Sequence, residues 1–82
     1  MQLTRFILCA LSAAGQLGLT VETILREARA ELQRDLTLPE LETEIRTLAD
    51  KSLLTIYTPT LGSKRWRITQ LGTSVVKEEG LA

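Results

Sequence analysis

Residues 36–69 read LTLPELETEIRTLADKSLLTIYTPTLGSKRWRIT, and this stretch predicts one helix followed directly by a β-hairpin. Thr37 and Glu40 form a capping-box pattern, which predicts that a helix begins directly after Thr37. Pro39 is compatible with that start because the first turn of a helix needs no N–H donor there. Leucine and isoleucine then recur every three or four residues as far as Leu48. This spacing predicts a helix with one buried face, ending near Lys51–Ser52.

Two short segments of alternating apolar and polar residues follow this helix. Residues 54–58 (LTIYT) and 64–69 (KRWRIT) have the composition and alternation of β-strands. Residues 59–63 (PTLGS) lie between them and are typical of a turn. The sequence therefore predicts a β-hairpin with a loop of about five residues.

The side chains of the hairpin alternate between two faces. If Ile68 faces the core, Trp66 and Lys64 lie on its side of the sheet, and Arg65 and Arg67 lie on the other side. The core-facing positions are then expected to be Leu54, Ile56 and Ile68.

The segment from Leu3 to Ala14 carries most of its apolar side chains on one helical face. We interpret it as a helix at the centre of the core. Two alternatives remain at this level: a partly exposed flank used in self-association, and a signal peptide, since Arg5 precedes a short apolar run. No stretch approaches the roughly 20 apolar residues of a membrane span.

Local signals define the remaining elements. The segment Gly15–Gly18 breaks the first helix, and Leu19 is expected to add a short strand to the hairpin. Thr20 is expected to cap a second helix, and Thr69 a short last helix that continues to about Glu79.

Two short motifs resemble the winged helix-turn-helix superfamily. Residues 48–54 (LADKSLL) resemble the L-x-x-K-G-L-I end of its recognition helix, and residues 68–72 (ITQLG) resemble the L-T-x-x-G that follows the wing in small bacterial regulators. Ser52 stands where the family commonly has Gly, and a left-handed conformation there would cost about 1 kcal/mol. The resemblance implies an α+β, mostly α, winged helix, with a three-helix core, a β-hairpin wing and a short C-terminal helix. It also implies a bacterial or phage regulator.

Length and composition limit the function. With 82 residues the chain is expected to form a single domain, 1–82. Ten Lys and Arg balance ten Asp and Glu, so a case for nucleic acid has to rest on local charge. Cys9 is the one cysteine, which is compatible with a reducing cytoplasm. Without His, we expect no metal site, no cofactor and no enzymatic activity, and no small-molecule substrate is evident.

The resemblance implies DNA as the partner, with the third helix in the major groove and the wing on the backbone or minor groove. Trp66 could stack on a base or sugar, or it could be a core residue beside Ile68. The predicted DNA contacts are Thr43, Arg46, Thr47 and Lys51 on the helix and Lys64, Arg65, Trp66 and Arg67 on the wing.

The acidic residues of the third helix support a different class of function. Glu40 and Glu44 are expected to share the outward stripe with Thr43 and Thr47, where they would face DNA phosphates unfavourably. The alternative is a protein-interaction module, binding a partner or a second copy without DNA. Its predicted contact residues are Glu40, Glu44, Tyr57 and Leu61.

Overall fold

Within residues 2–80, which the computed structural model describes, the chain forms four α-helices and one antiparallel hairpin. The expected α+β, mostly helical, winged-helix layout is confirmed. Met1, Leu81 and Ala82, which belong to the predicted domain 1–82, lie outside the described residues. The elements are α1 (Gln2–Ala14), a 3-10 turn (Gly15–Leu17), α2 (Val21–Leu32), α3 (Leu38–Asp50), β1 (Leu54–Tyr57), β2 (Arg65–Ile68) and α4 (Gln70–Glu78).

The capping box at the start of α3 is formed as predicted. Thr37 Oγ1 accepts a hydrogen bond from the Glu40 N–H at 3.3 Å, and Glu40 Oε1 accepts one from the Thr37 N–H at 3.3 Å. The helix ends at Asp50, and Ser52 beyond it has a φ of 64°, the left-handed conformation expected at this position. Both ends of α3 are therefore set by local sequence signals.

The first helix lies at the centre of the core. Ile7, Leu8 and Leu11 are buried, and α1 packs against α2, α3, α4 and β2. The prediction of a central core helix is confirmed, and removal of this segment as a signal peptide would take three side chains out of the core. The other buried apolar residues are Ile24, Ala28, Leu36, Leu41, Ile45, Leu48, Leu53, Leu54 and Val76.

Both strands of the hairpin are shorter than predicted. They are four residues each, with Leu54 opposite Ile68 and Tyr57 opposite Arg65, so the predicted five-residue loop is wrong and residues 58–64 connect the strands. At the outer end, a turn in which the Gly62 N–H donates to the Pro59 carbonyl at 3.3 Å stops the pairing early. At the inner end, Thr69 leaves β2 because its hydroxyl caps α4, accepting from the Gly72 N–H at 3.0 Å.

Leu19 joins the hairpin at the free edge of β2, as predicted. Its N–H donates to the Trp66 carbonyl and its carbonyl accepts from the Trp66 N–H, both at 2.8 Å. Gly18, with a φ of 67°, precedes this bridge, and any side chain there would run into the Trp66 carbonyl. The glycine thus permits the close approach that ties the α1–α2 connection to the hairpin.

Candidate nucleic-acid interface

One side of α3 is exposed along its whole length. Thr43, Arg46, Thr47 and Asp50 recur every three or four residues opposite the buried stripe, and Lys51 follows directly after the last turn. We call these five residues the α3 face. It carries two positive charges and one negative charge. The four α3 residues predicted to contact DNA, Thr43, Arg46, Thr47 and Lys51, all belong to it.

Glu44 does not lie where the sequence suggested, on the outward stripe. Glu44 is half-buried, and each of its carboxylate oxygens accepts from the Thr4 hydroxyl of α1 at 3.1 Å. Glu40 is engaged in the capping box, and its Oε2 lies 3.4 Å from Arg34 Nη2 in the α2–α3 connection. The expectation is wrong for Glu44, which the contact with Thr4 holds on the flank of α3. Glu40 is exposed and precedes Thr47 by seven residues, about two helical turns, so it lies close to the α3 face. Its carboxylate is engaged by Thr37 and Arg34.

The two threonines of the α3 face have their hydroxyl hydrogens engaged within the helix. Thr43 Oγ1 donates to the Pro39 carbonyl at 2.9 Å, and Thr47 Oγ1 donates to the Thr43 carbonyl at 3.0 Å. A carbonyl oxygen only accepts, so each threonine is the donor in its bond. Each exposed threonine therefore offers a methyl group and oxygen lone pairs to a partner, and no hydroxyl hydrogen.

A groove of about 600 Å³ separates α3 from the hairpin, and we call it the wing groove. Arg46 and Lys64 stand at its rim together with Glu22 and Glu42. The side chains that form its apolar floor are Val21, Ile45, Ala49, Ile56 and Trp66. The fold thus brings one predicted contact of α3, Arg46, and two of the wing, Lys64 and Trp66, to the same groove, although Arg46 and Lys64 are 18 positions apart in the sequence.

Trp66 contacts the core and also lines the wing groove. Its side chain is half-buried and packs against the buried cluster, while part of it lines the groove. Ile56, its cross-strand partner, is 49 % exposed although it lies on the core-facing side of the hairpin. The hairpin extends past the edge of the core. Alternation therefore predicts correctly on which face of the hairpin Ile56 lies, but it predicts more burial of the side chain than the structure has.

The opposite face of the hairpin carries Arg65 and Arg67, as alternation predicted. Both are half-buried, and the guanidinium carbon of Arg67 lies 4.8 Å from the centroid of the Tyr57 ring. Such a cation–π contact holds the arginine against the strand. Tyr57 was expected to be exposed and is instead half-buried under Arg67, whereas Leu61 at the hairpin tip is 99 % exposed.

Other classes of site have little support in the described part of the chain. Among residues 2–80, no three acidic, cysteine or histidine side chains converge in a way that could hold a metal ion. Over the same residues, the helices are too short or too polar to cross a membrane.

Comparison with known proteins gives no match: no protein-family model fits the chain, and neither a curated protein nor a solved structure is significantly similar to it.

Sequence reasoning named four of the five residues of the α3 face but missed the wing groove. Val21 and Glu22, at the start of α2, also line that groove. No local pattern predicts this, because it depends on how α2, α3 and the hairpin pack together. The one sequence signal was Trp66, a large aromatic residue on a strand among basic neighbours.

Proposed function

We propose that the protein binds double-stranded DNA, with the α3 face in the major groove and the basic hairpin against the phosphates. Its role would be that of a small transcriptional regulator in a bacterial or phage setting, acting by binding in the cytoplasm and without enzymatic chemistry. The winged-helix layout supports a helix presented to DNA beside a wing.

The observation that carries this proposal is the position of Glu44, together with the pairing of Glu40 with Arg34. Glu44 is held on the flank of α3 by Thr4, and the charge of Glu40 is paired with Arg34, so the five residues of the α3 face keep one net positive charge. Asp50 and Lys51 lie together at the C-terminal end of α3, whereas the base contacts of a recognition helix come mostly from its N-terminal part. Glu42 remains exposed beside Arg46 and is the main unfavourable charge.

The positive charges lie on both sides of the wing groove. Arg46 and Lys51 belong to the α3 face, and Lys64, Arg65 and Arg67 to the hairpin. Arg46 and Lys64 line the wing groove and suit the phosphates of a DNA strand that runs along it. Arg65 and Arg67, on the opposite face of the hairpin, suit phosphates on the other side of the wing. Four or five such contacts predict that log affinity falls with log salt with a slope of about −4.

The test is a fluorescence-anisotropy titration of a labelled random-sequence duplex at about 50 and 200 mM salt, with Trp66 emission recorded in parallel. A slope of about −4 predicts an affinity loss of roughly two hundredfold between the two conditions. Emission should change on binding because Trp66 lines the wing groove. Absence of binding at 50 mM salt up to high micromolar protein would overturn the proposal, since even non-specific DNA binders register there.

A second candidate function is protein interaction through the hairpin. Leu61 is 99 % exposed at the tip and Ile56 is 49 % exposed in the wing groove, and apolar side chains so placed suit an interface. This function predicts self-association or partner binding that changes little between 50 and 200 mM salt and weakens in Leu61→Ser. Sedimentation that stays monomeric at both salt concentrations would remove the self-association form of it.

A further inference from the structure

We propose that the α3 face selects duplex DNA containing thymine in the major groove, through the γ-methyl groups of Thr43 and Thr47, with Arg46 on a neighbouring guanine. This inference rests on the proposed function and specifies the class of DNA bound.

The chemistry of the two threonines carries the inference. Because both hydroxyls donate to helix carbonyls at 2.9 and 3.0 Å, neither has a hydrogen for a base acceptor. Guanine offers only the acceptors N7 and O6 in the major groove, so these threonines cannot donate to it. What they present is apolar and accepting, which is complementary to the thymine 5-methyl group and to the amino groups of adenine and cytosine.

Arg46 supplies the opposite chemistry between them. Its guanidinium has only donors, which match the N7 and O6 acceptors of guanine. It is exposed and lies one residue before Thr47 on the same face of α3. The α3 face thus offers two accepting, apolar positions and one donating position.

The spacing of the two threonines along α3 predicts how far apart the two contacted base pairs lie. Thr43 and Thr47 are one helical turn apart, about 6 Å along the axis, and stacked base pairs are about 3.4 Å apart. If α3 lies along the groove, the two methyl groups meet base pairs about two steps apart. The expected core is therefore two thymines within about two steps, with a guanine adjacent to or between them.

The experiment begins with selection of preferred duplexes from a random library by the wild-type protein. Each thymine of the selected duplex is then replaced by deoxyuridine, which removes only the 5-methyl group. We expect replacement at one or two positions to lower affinity about fourfold each, the amount given by one lost methyl contact. Deoxyuridine at flanking positions is the control and should have no effect.

Matched protein variants separate the methyl from the hydroxyl. Thr43→Val and Thr47→Val keep a γ-methyl and lose the hydroxyl, and they should keep the preference for thymine over uracil. Thr43→Ser and Thr47→Ser keep the hydroxyl and lose the methyl, and each should bind thymine and uracil equally at the one position that its own side chain contacts. Loss of the preference in the valine variants with its retention in the serine variants would overturn the inference.

The failure of the inference is distinguishable from that of the proposed function. Salt-dependent duplex binding that tolerates uracil at every position, or that selects no sequence, overturns the inference and leaves DNA binding in place. Absence of duplex binding overturns both.

Discussion

The Thr4 hydroxyl of α1 donates to the two carboxylate oxygens of Glu44 in α3, at 3.1 Å each. This bond joins two helices across 40 positions of sequence and holds Glu44 in a half-buried position. Glu42, two residues earlier, is exposed at the rim of the wing groove. The two glutamates therefore differ in how strongly they oppose an approaching phosphate.

Neutralising these two glutamates should affect DNA binding unequally. Glu42→Gln removes a negative charge beside Arg46 and should raise affinity for a random duplex at 50 mM salt about threefold. Glu44→Gln should change it less, because Glu44 is half-buried on the flank of α3 against Thr4, whereas Glu42 is exposed beside Arg46. Anisotropy titrations of the two variants measure the difference, and a larger gain for Glu44→Gln would contradict the orientation of α3.

Gly18 and Gly15 have the same left-handed backbone conformation but different surroundings, so alanine substitutions at the two positions can be compared. Both have a φ close to 68°, but a side chain at Gly18 would run into the Trp66 carbonyl, whereas a Cβ at Gly15 has no neighbour within 4 Å. Gly15→Ala should lower the free energy of unfolding by about 1–2 kcal/mol, from the left-handed backbone alone. Gly18→Ala should lower it by about 2–4 kcal/mol, because overpacking adds to that amount. Urea unfolding measures both, and equal losses would argue against the Leu19–Trp66 bridge.

Ser52 is a position where a substitution should stabilise the fold. With a φ of 64°, serine is strained at the end of α3 in a way that glycine is not. We expect Ser52→Gly to raise the free energy of unfolding by about 0.5–1 kcal/mol, the strain relieved less the added entropy of the unfolded chain. Ser63→Gly, in the hairpin loop where φ is not positive, is the control and should give no gain. Thermal unfolding that shows the same shift for both variants would contradict this prediction.

The elements that the sequence predicted well are those with signals a few residues apart. The starts of two helices are predicted by their capping residues, Thr37 with Glu40 and Thr69 with Gly72. Such a start can be recognised in the sequence because the capping hydrogen bond spans only three residues. The pairing of Leu54 with Ile68 also follows from alternation.

The features that the sequence did not predict depend on distant contacts. The position of Glu44 depends on Thr4, 40 residues earlier, and nothing in the local pattern distinguishes it from an exposed glutamate. The partial exposure of Ile56 has a similar origin, since alternation fixes the face of a strand residue and tertiary packing fixes how far the core extends beneath it.

The most direct test of DNA binding by the α3 face and the wing compares salt slopes among charge-removal variants. Arg46→Ala and Lys64→Ala remove the two cations that line the wing groove. Each should reduce the magnitude of the slope of log affinity against log salt by about one. Arg65→Ala on the other hairpin face should do the same. For Arg67→Ala we also expect the magnitude of the slope to fall by about one. This variant loses the contact with Tyr57 as well, so its stability has to be measured beside its affinity.

Lys77→Ala is the control for this comparison, because Lys77 lies on α4, which packs against α1 and β2. The expected result is a reduced slope in Arg46→Ala and Lys64→Ala with an unchanged slope in Lys77→Ala. An unchanged slope in both Arg46→Ala and Lys64→Ala, or an equal reduction in Lys77→Ala, would contradict DNA binding at the wing groove.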